Sequence, residues 1–267
     1  MLNKVPEVTI FFWIIKIMAT TVGETAADFL NTNLDLGLTN TTYIMGSLLL
    51  ITLFFQFRMR RYVPGIYWFA VVLISVVGTL ITDNLTDNLG ISLVTTTIIF
   101  SVALLAIFLA WYACEKTLSI HGIHTTKREA FYWLAILFTF ALGTAAGDLT
   151  AERIDLGYWK SAVVFAGLIA AVTVTHYGLK TILAKEHRRQ TSNAVLAFWL
   201  AYILTRPLGA SLGDYLSLGR DDGGLALGTV GTSTIFLVTI LGLVTYLTKT
   251  RRDVDPLSIP AEKGENH

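Results

Sequence analysis

"FYWLAILFTFALGTAAGD", residues 131–148, is an apolar run that carries Trp133, then Gly143, and closes on Asp148. The same spacing recurs as Trp13, Gly23 and Asp28, as Trp68, Gly78 and Asp83, and as Trp199, Gly209 and Asp214. The flanking text agrees: "FFWII", "IYWFA", "FYWLA" and "AFWLA". Such self-similarity at fixed spacing marks a chain assembled from copies of one structural unit.

Working outward, each copy holds two apolar stretches. Spans are expected at about 6–30, 39–57, 63–83, 90–113, 129–149, 160–180, 193–214 and 225–248, most near the roughly 20 residues that cross ~30 Å of hydrocarbon. The fifth is the tightest, because Glu129 and Asp148 bracket it. Composition agrees: 54% of residues are hydrophobic and 15% charged, with a mean hydropathy of +0.61. That is more apolar surface than a soluble domain can hide. A net charge of +1, spread over separated clusters, gives no basic face for nucleic acid. A lone Cys114 forms no internal disulfide and no metal motif, so it reads as packing.

Charge orients the spans. Arg58, Arg60 and Arg61 follow the second; Lys116, Lys127 and Arg128 the fourth; Lys180, Lys185, Arg188 and Arg189 the sixth; Lys249, Arg251 and Arg252 the eighth. Lys4 and Lys263 fall on the same side, whereas Asp35, Asp87, Glu152, Asp155, Asp221 and Asp222 collect on the other. The positive-inside rule then puts both termini in the cytoplasm. The expected fold is all-α and polytopic: eight transmembrane helices as four parallel two-helix repeats, about 4–61, 62–126, 127–191 and 192–252, with the odd helices central. Residues 1–252 form one transmembrane domain and 253–267 a mobile cytoplasmic tail. Gly23 and Ala27, Gly78 and Thr82, Gly143 and Gly147, and Gly209 and Gly213 give each odd helix small residues one turn apart, which permit close backbone approach in lipid.

The opening "KVPEVTIFFWIIKI" with "GETAADF", "FYWLAILFTFALGTAAGD" and "FWLAYILTRPLGASLGD" resembles a bacterial family of integral membrane proteins built from four copies of a repeat of unknown function. The resemblance covers about residues 3 to 252. It implies residence in the bacterial cytoplasmic (inner) membrane and supplies no activity.

Function must come from the polar residues inside the spans. Asp28, Asp83, Asp148 and Asp214 either mark where each helix meets water or form one acidic level, a known way to attract cations. Glu24 lies one turn deeper, where the other copies carry Thr79, Thr144 and Ala210. An intramembrane carboxylate is by default a proton carrier or cation ligand. Arg206 cannot deprotonate and needs an anion, with Glu24 or the aspartates as its expected partner, in a fixed ion pair or one that a ligand displaces. Pro207, directly after it, is a candidate hinge or break. Lys16 either snorkels or faces the seam with Thr20 and Glu24. His176 reads as a packed or hydrogen-bonded residue, and the four motif tryptophans as interfacial anchors with a packing role.

The first functional expectation is a small-cation transporter or channel-like permease, divalent-metal or proton-coupled. Glu24, Asp28, Asp83, Asp148 and Asp214 would be the ion ligands, with Thr79, Thr144 and Arg206 beside them. No cofactor is expected beyond a transported or bound divalent cation. The expected partners are the lipid bilayer and a small inorganic ion, with a homo-oligomer left open. A membrane enzyme or lipid-headgroup-binding protein is the alternative, disfavoured because no catalytic constellation has recognisable spacing. A structural scaffold held together by its polar repeats is the third reading.

Overall fold

A computed structural model describes residues 3–182 and 187–254. The expected basic linker around Lys185 and the tail beyond Val254, with Lys263, lie outside the described residues. The fold is all-helical: α1 (Ile10–Asp28), α2 (Leu38–Arg58), α3 (Pro64–Asp83), α4 (Leu93–Glu115), α5 (Thr126–Asp148), α6 (Tyr158–Ile182), α7 (His187–Ser217) and α8 (Gly228–Thr250). All eight are long and apolar enough to cross a membrane, so this is a multi-pass membrane protein.

Local chemistry sets the ends. Thr9, Ser92 and Thr125 cap α1, α4 and α5 by accepting from the backbone N–H three residues on, and Pro64 opens α3, where a missing N–H is harmless. The first helix therefore starts at Ile10, later than the expected 6. The fifth starts at Thr126, earlier than 129, which brings Glu129 inside the helix. Gly37 and Gly157 each precede an even helix, and Gly228 opens α8, at positive φ, the conformation that glycine adopts without penalty.

Three of the four aspartates are the last α-helical residues of their helices, but the chain stays helical beyond them. Beyond Asp28, Asp83 and Asp148 the chain continues through one π-helical turn, Phe29–Asn33, Asn84–Asn88 and Leu149–Arg153, and Asp214 lies inside α7. Each of these three aspartates therefore stands one turn before the helical path ends. The extra residue of a π-turn shifts side-chain register, and such turns recur at functional sites.

The odd helices form the centre. Between 56 and 72% of each odd span is buried, against 11 to 22% of each even span. α1 packs on α3, α3 on α5, α5 on α7, and α7 back on α1, a closed cycle. Each even helix packs mainly on the odd helix that follows it: α2 on α3, α4 on α5, α6 on α7, and α8 on α1. The packed pair is thus offset by one helix from the repeated unit in the sequence, and the return of α8 to α1 joins the last copy to the first.

The motif glycines explain how the cycle closes. A Cβ at Gly23 would overlap Ser75, one at Gly78 would run into Phe140, one at Gly143 into Arg206, and one at Gly209 into Thr20. Every motif glycine thus receives the residue seven positions after the motif tryptophan of the next odd helix. The second small residue is less demanding. At Gly147 an added Cβ meets Ala210 and Pro207 at ordinary van der Waals distance, 3.5 Å.

At the other end of the odd helices three of the four motif tryptophans pack inward. Trp68, Trp133 and Trp199 are 1%, 3% and 4% exposed, in a cluster with Phe12, Tyr67, Tyr132 and Tyr202, and Trp199 Nε1 donates to the Leu118 carbonyl at 2.9 Å. Three of the four expected interfacial anchors are thus core residues, because the odd helices that carry them are enclosed; Trp13 is half-buried. Cys114, expected to be packed, is exposed on α4.

The residues before α1 cross this basic end. Tyr62 N–H donates to the Asn3 carbonyl, Lys4 N–H to the Ile123 carbonyl, and Glu7 N–H to the Asp253 carbonyl. Buried Lys4 donates to Glu129 Oε2 at 2.6 Å and to the Phe57 carbonyl at 2.9 Å, and Gln56 donates to Glu129 Oε1. Lys4→Met strands Glu129, but residues 3–9 are terminal and can open locally. The expected outcome is faster amide exchange in residues 3–9 and at Tyr62 and Ile123, with exchange at the acidic end unchanged.

Asp253, placed at the start of a mobile tail by the sequence reading, is held down: Tyr62 Oη donates to its Oδ2 at 2.6 Å. Burial pushes the Asp253 carboxyl above its ordinary range, and burial with the neighbouring Asp253 charge pushes the Tyr62 phenol up. A carboxyl raised in the folded state binds more protons there than when unfolded. Its contribution is therefore complete below the unfolded value and lost as pH rises through the folded one. Protection of residues 251–254 should fall over that interval as pH rises, and Asp253→Asn should flatten the dependence.

Candidate functional site at the acidic end

Stepping back from Asp148 by four residues through Thr144, Phe140, Ile136 and Tyr132 traces the inner face of α5. The same walk gives Asp28, Glu24, Thr20, Lys16 and Phe12 on α1; Asp83, Thr79, Ser75, Val71 and Tyr67 on α3; and Asp214, Ala210, Arg206, Tyr202 and Phe198 on α7. The five levels span about 24 Å at 1.5 Å per residue.

The aromatic level nearest the basic end is tied by a 2.5 Å hydrogen bond between the Tyr67 and Tyr132 hydroxyls. Next comes Lys16, fully buried, which does not snorkel. Its ammonium lies 3.7 Å from the centre of the Phe140 ring and 4.2 Å from that of Tyr202, with no hydrogen-bond acceptor among the described residues. Two aromatic faces offset part of the cost of desolvating that charge, about 2 kcal/mol or more for a buried contact.

Arg206 fills the third level and reaches the fourth. It is fully buried, and its Nη2 donates to Glu24 Oε2 at 2.7 Å, to Thr144 Oγ1 at 2.7 Å and to Thr79 Oγ1; Nη1 donates to the Thr20 carbonyl at 3.4 Å. The structure therefore brings together Glu24, Arg206, Thr79 and Thr144, one from each odd helix. Pro207 lies mid-helix without breaking it, since α7 runs continuously from His187 to Ser217. Gly143 makes room for the arginine stem on the α5 side.

Above this tie sits the acidic level. Glu24, Asp148 and Asp214 each present a carboxylate oxygen, and the three lie within 4.8 Å of one another. Asp28 and Asp83 are within Coulombic reach of Glu24. Glu24 and Asp214 are buried, whereas Asp28, Asp83 and Asp148 are half-buried, so the cluster faces outward from the bundle end. Oxygens at that separation suit a hard cation, whose ligands stand at about 2.3–2.6 Å for Ca²⁺ and closer for Mg²⁺. His176, by contrast, is remote from this cluster and pairs with Asn193 Nδ2 at 3.3 Å.

The sequence reading lacked Ser75, Phe140 and Tyr202 as parts of this seam. The four-residue walk back from each motif aspartate finds them, once the odd helices are known to present that face to one another.

A model of one repeat matches the chain four times, over residues 11–62, 66–117, 131–181 and 197–253, and its description is Repeat of Unknown Function (DUF347). The chain belongs to this DUF347 repeat family. No curated protein and no solved structure matches it. In this DUF347 protein the matched copies begin on the odd helices and contain the Trp, Gly and Asp positions that build the seam. The copies differ at the polar levels: only the first carries a glutamate one turn below its aspartate, and only the fourth an arginine at the level beneath. The site is thus made by differences among the copies set on a common frame.

Proposed function

We propose that this protein is a small-cation permease of the bacterial inner membrane, with four parallel repeats, both termini cytoplasmic and the acidic cluster at the outer face. The reading rests on one observation above all: Glu24, Asp148 and Asp214 converge within 4.8 Å while Arg206 holds the inner oxygen of Glu24. The arginine is a tethered cation beside the place an ion would take. A divalent cation entering the carboxylates competes with it for Glu24, and a proton added to Glu24 has the same effect on the pair. The seam beneath is closed by Phe140, Tyr202, Tyr67 and Tyr132, so ion passage requires the odd helices to move. Pro207, which removes one helical hydrogen bond beside Arg206, is the proposed pivot. The meeting of equivalent positions on the four odd helices supports the parallel arrangement, and the basic residues at the opposite end support the orientation.

The scaffold reading draws on the same tie, since Arg206 is bonded to three of the other central helices. Vesicle flux separates the two. Reconstituted protein is assayed with Mg²⁺, Mn²⁺ and Ca²⁺ and with a proton gradient. The permease reading expects flux of at least one ion that falls at least tenfold, over 1.4 kcal/mol, in Glu24→Gln combined with Asp148→Asn. Flux unchanged by that pair removes the proposed site, and no flux of any ion leaves the scaffold.

A further inference from the structure

Away from the acidic cluster, a groove of about 680 Å³ opens on the side of the bundle, in the half nearer the basic end. Trp13 and Ile17 of α1, Ala197 and Ala201 of α7, and Val172 and His176 of α6 line it. Its volume is that of a small-molecule site, within the usual ~300–1,000 Å³. It runs inward beside α6, between α1 and α7, and reaches Thr205, whose carbonyl accepts from Thr20 and whose neighbour is Arg206.

Two departures from the repeat accompany the hollow. Two residues before the motif tryptophan, the first three copies carry Phe11, Ile66 and Phe131, and the fourth carries Ala197. On the even helices, Gln56, Trp111 and Leu247 stand fifteen residues after Thr41, Thr96 and Thr232 and are buried; His176 stands fifteen after Ser161 and is half-buried on the groove wall. A common frame has been emptied at one junction, on the α6 wall and the α7 wall together.

We propose that this groove is a binding site for one anionic membrane phospholipid, an acyl chain lying on Ala197 and Ala201 with the headgroup at the basic end. The surroundings choose the chain, because α6 is only 11% buried and faces hydrocarbon along most of its length. Polarity chooses the headgroup. The apolar floor gives way to His176 paired with Asn193, to Ser119, whose hydroxyl can donate to a phosphate, and to His121, which stands 3.5 Å from the Glu7 carboxylate and can donate through its other ring nitrogen. Exposed Lys180 follows the groove-lining His176 by one turn on the same face of α6, a cation one turn nearer the basic end. A basic residue near the membrane surface favours anionic over zwitterionic lipid.

The test uses the full chain in mild detergent, titrated with phosphatidylglycerol and with phosphatidylcholine and read by native mass spectrometry. One tightly held phosphatidylglycerol is expected. Ala197→Phe installs the residue that the first and third copies already carry and should weaken that lipid about tenfold; Thr173→Trp, from the α6 wall, should do the same. Lys180→Gln should leave one lipid bound and remove the preference for phosphatidylglycerol. Equal retention in Ala197→Phe and wild type, with unchanged melting, overturns the proposal. If Ala197→Phe melts early, equal retention in Thr173→Trp overturns it instead. Several equivalent lipids without preference in the wild-type protein do so as well, since that is ordinary annular binding.

Discussion

Replacing Arg206 with methionine is expected to destabilise the folded protein by about 3–5 kcal/mol, the usual cost of removing one partner from a buried ion pair. Glu24 is 6% exposed and loses its 2.7 Å guanidinium partner, and the hydroxyls of Thr79 and Thr144 lose a shared donor. Arg206→Lys should recover little of this, because its shorter side chain does not carry the ammonium to the place of Nη2 and gives up the Nη1 bond to the Thr20 carbonyl. Pairing Arg206→Met with Glu24→Gln should recover a large part, since the double variant buries no unpaired charge. Melting in detergent for the two single variants and the double gives the coupling, and additive losses would show that Arg206 and Glu24 do not interact.

Gly143→Ala carries the second large effect, about 1–3 kcal/mol of overpacking. The new methyl lands on Cβ and Cγ of Arg206 and lies 3.0 Å from Cδ of Pro207. Those atoms sit at the base of the side chain and in a ring, so they cannot swing aside; α5 and α7 must separate, which also draws Arg206 from Thr144. Gly167→Ala is the control, because an added Cβ there meets nothing within 4 Å. An exposed helical glycine to alanine change should be neutral or stabilising by about 0.5–1 kcal/mol. Melting of the two variants side by side checks this, and equal behaviour would mean that the motif glycine is not a point of close approach.

Much of this was legible in the sequence because it rests on periodicity. The apolar runs set eight spans, and the recurring tryptophan, glycine and aspartate set four copies. The small residues marked the odd helices as the close-packed set. Glu24 and Arg206 could be named as partners because a buried charge needs an opposite one. Other points failed for local reasons. The π-turns beyond Asp28, Asp83 and Asp148 were not foreseen because no residue type signals them. Trp68, Trp133 and Trp199 were assigned to an interface because depth along a helix was readable and enclosure by neighbours was not. Asp253 was taken for tail because its partner, Tyr62, lies far away in sequence.

The sequence by itself determined the solvent, the number of spans, the fourfold repetition and the individuality of Glu24 and Arg206, all properties of composition and spacing along one chain. Tertiary structure decided that each even helix packs on the following odd helix, and that each motif glycine receives a residue of the next odd helix. It also decided that Arg206 ties three other helices beneath a carboxylate cluster. The reason is geometric: spacing along a helix fixes which residues share a face, but the neighbour that meets that face depends on how the connections carry the chain across the bundle.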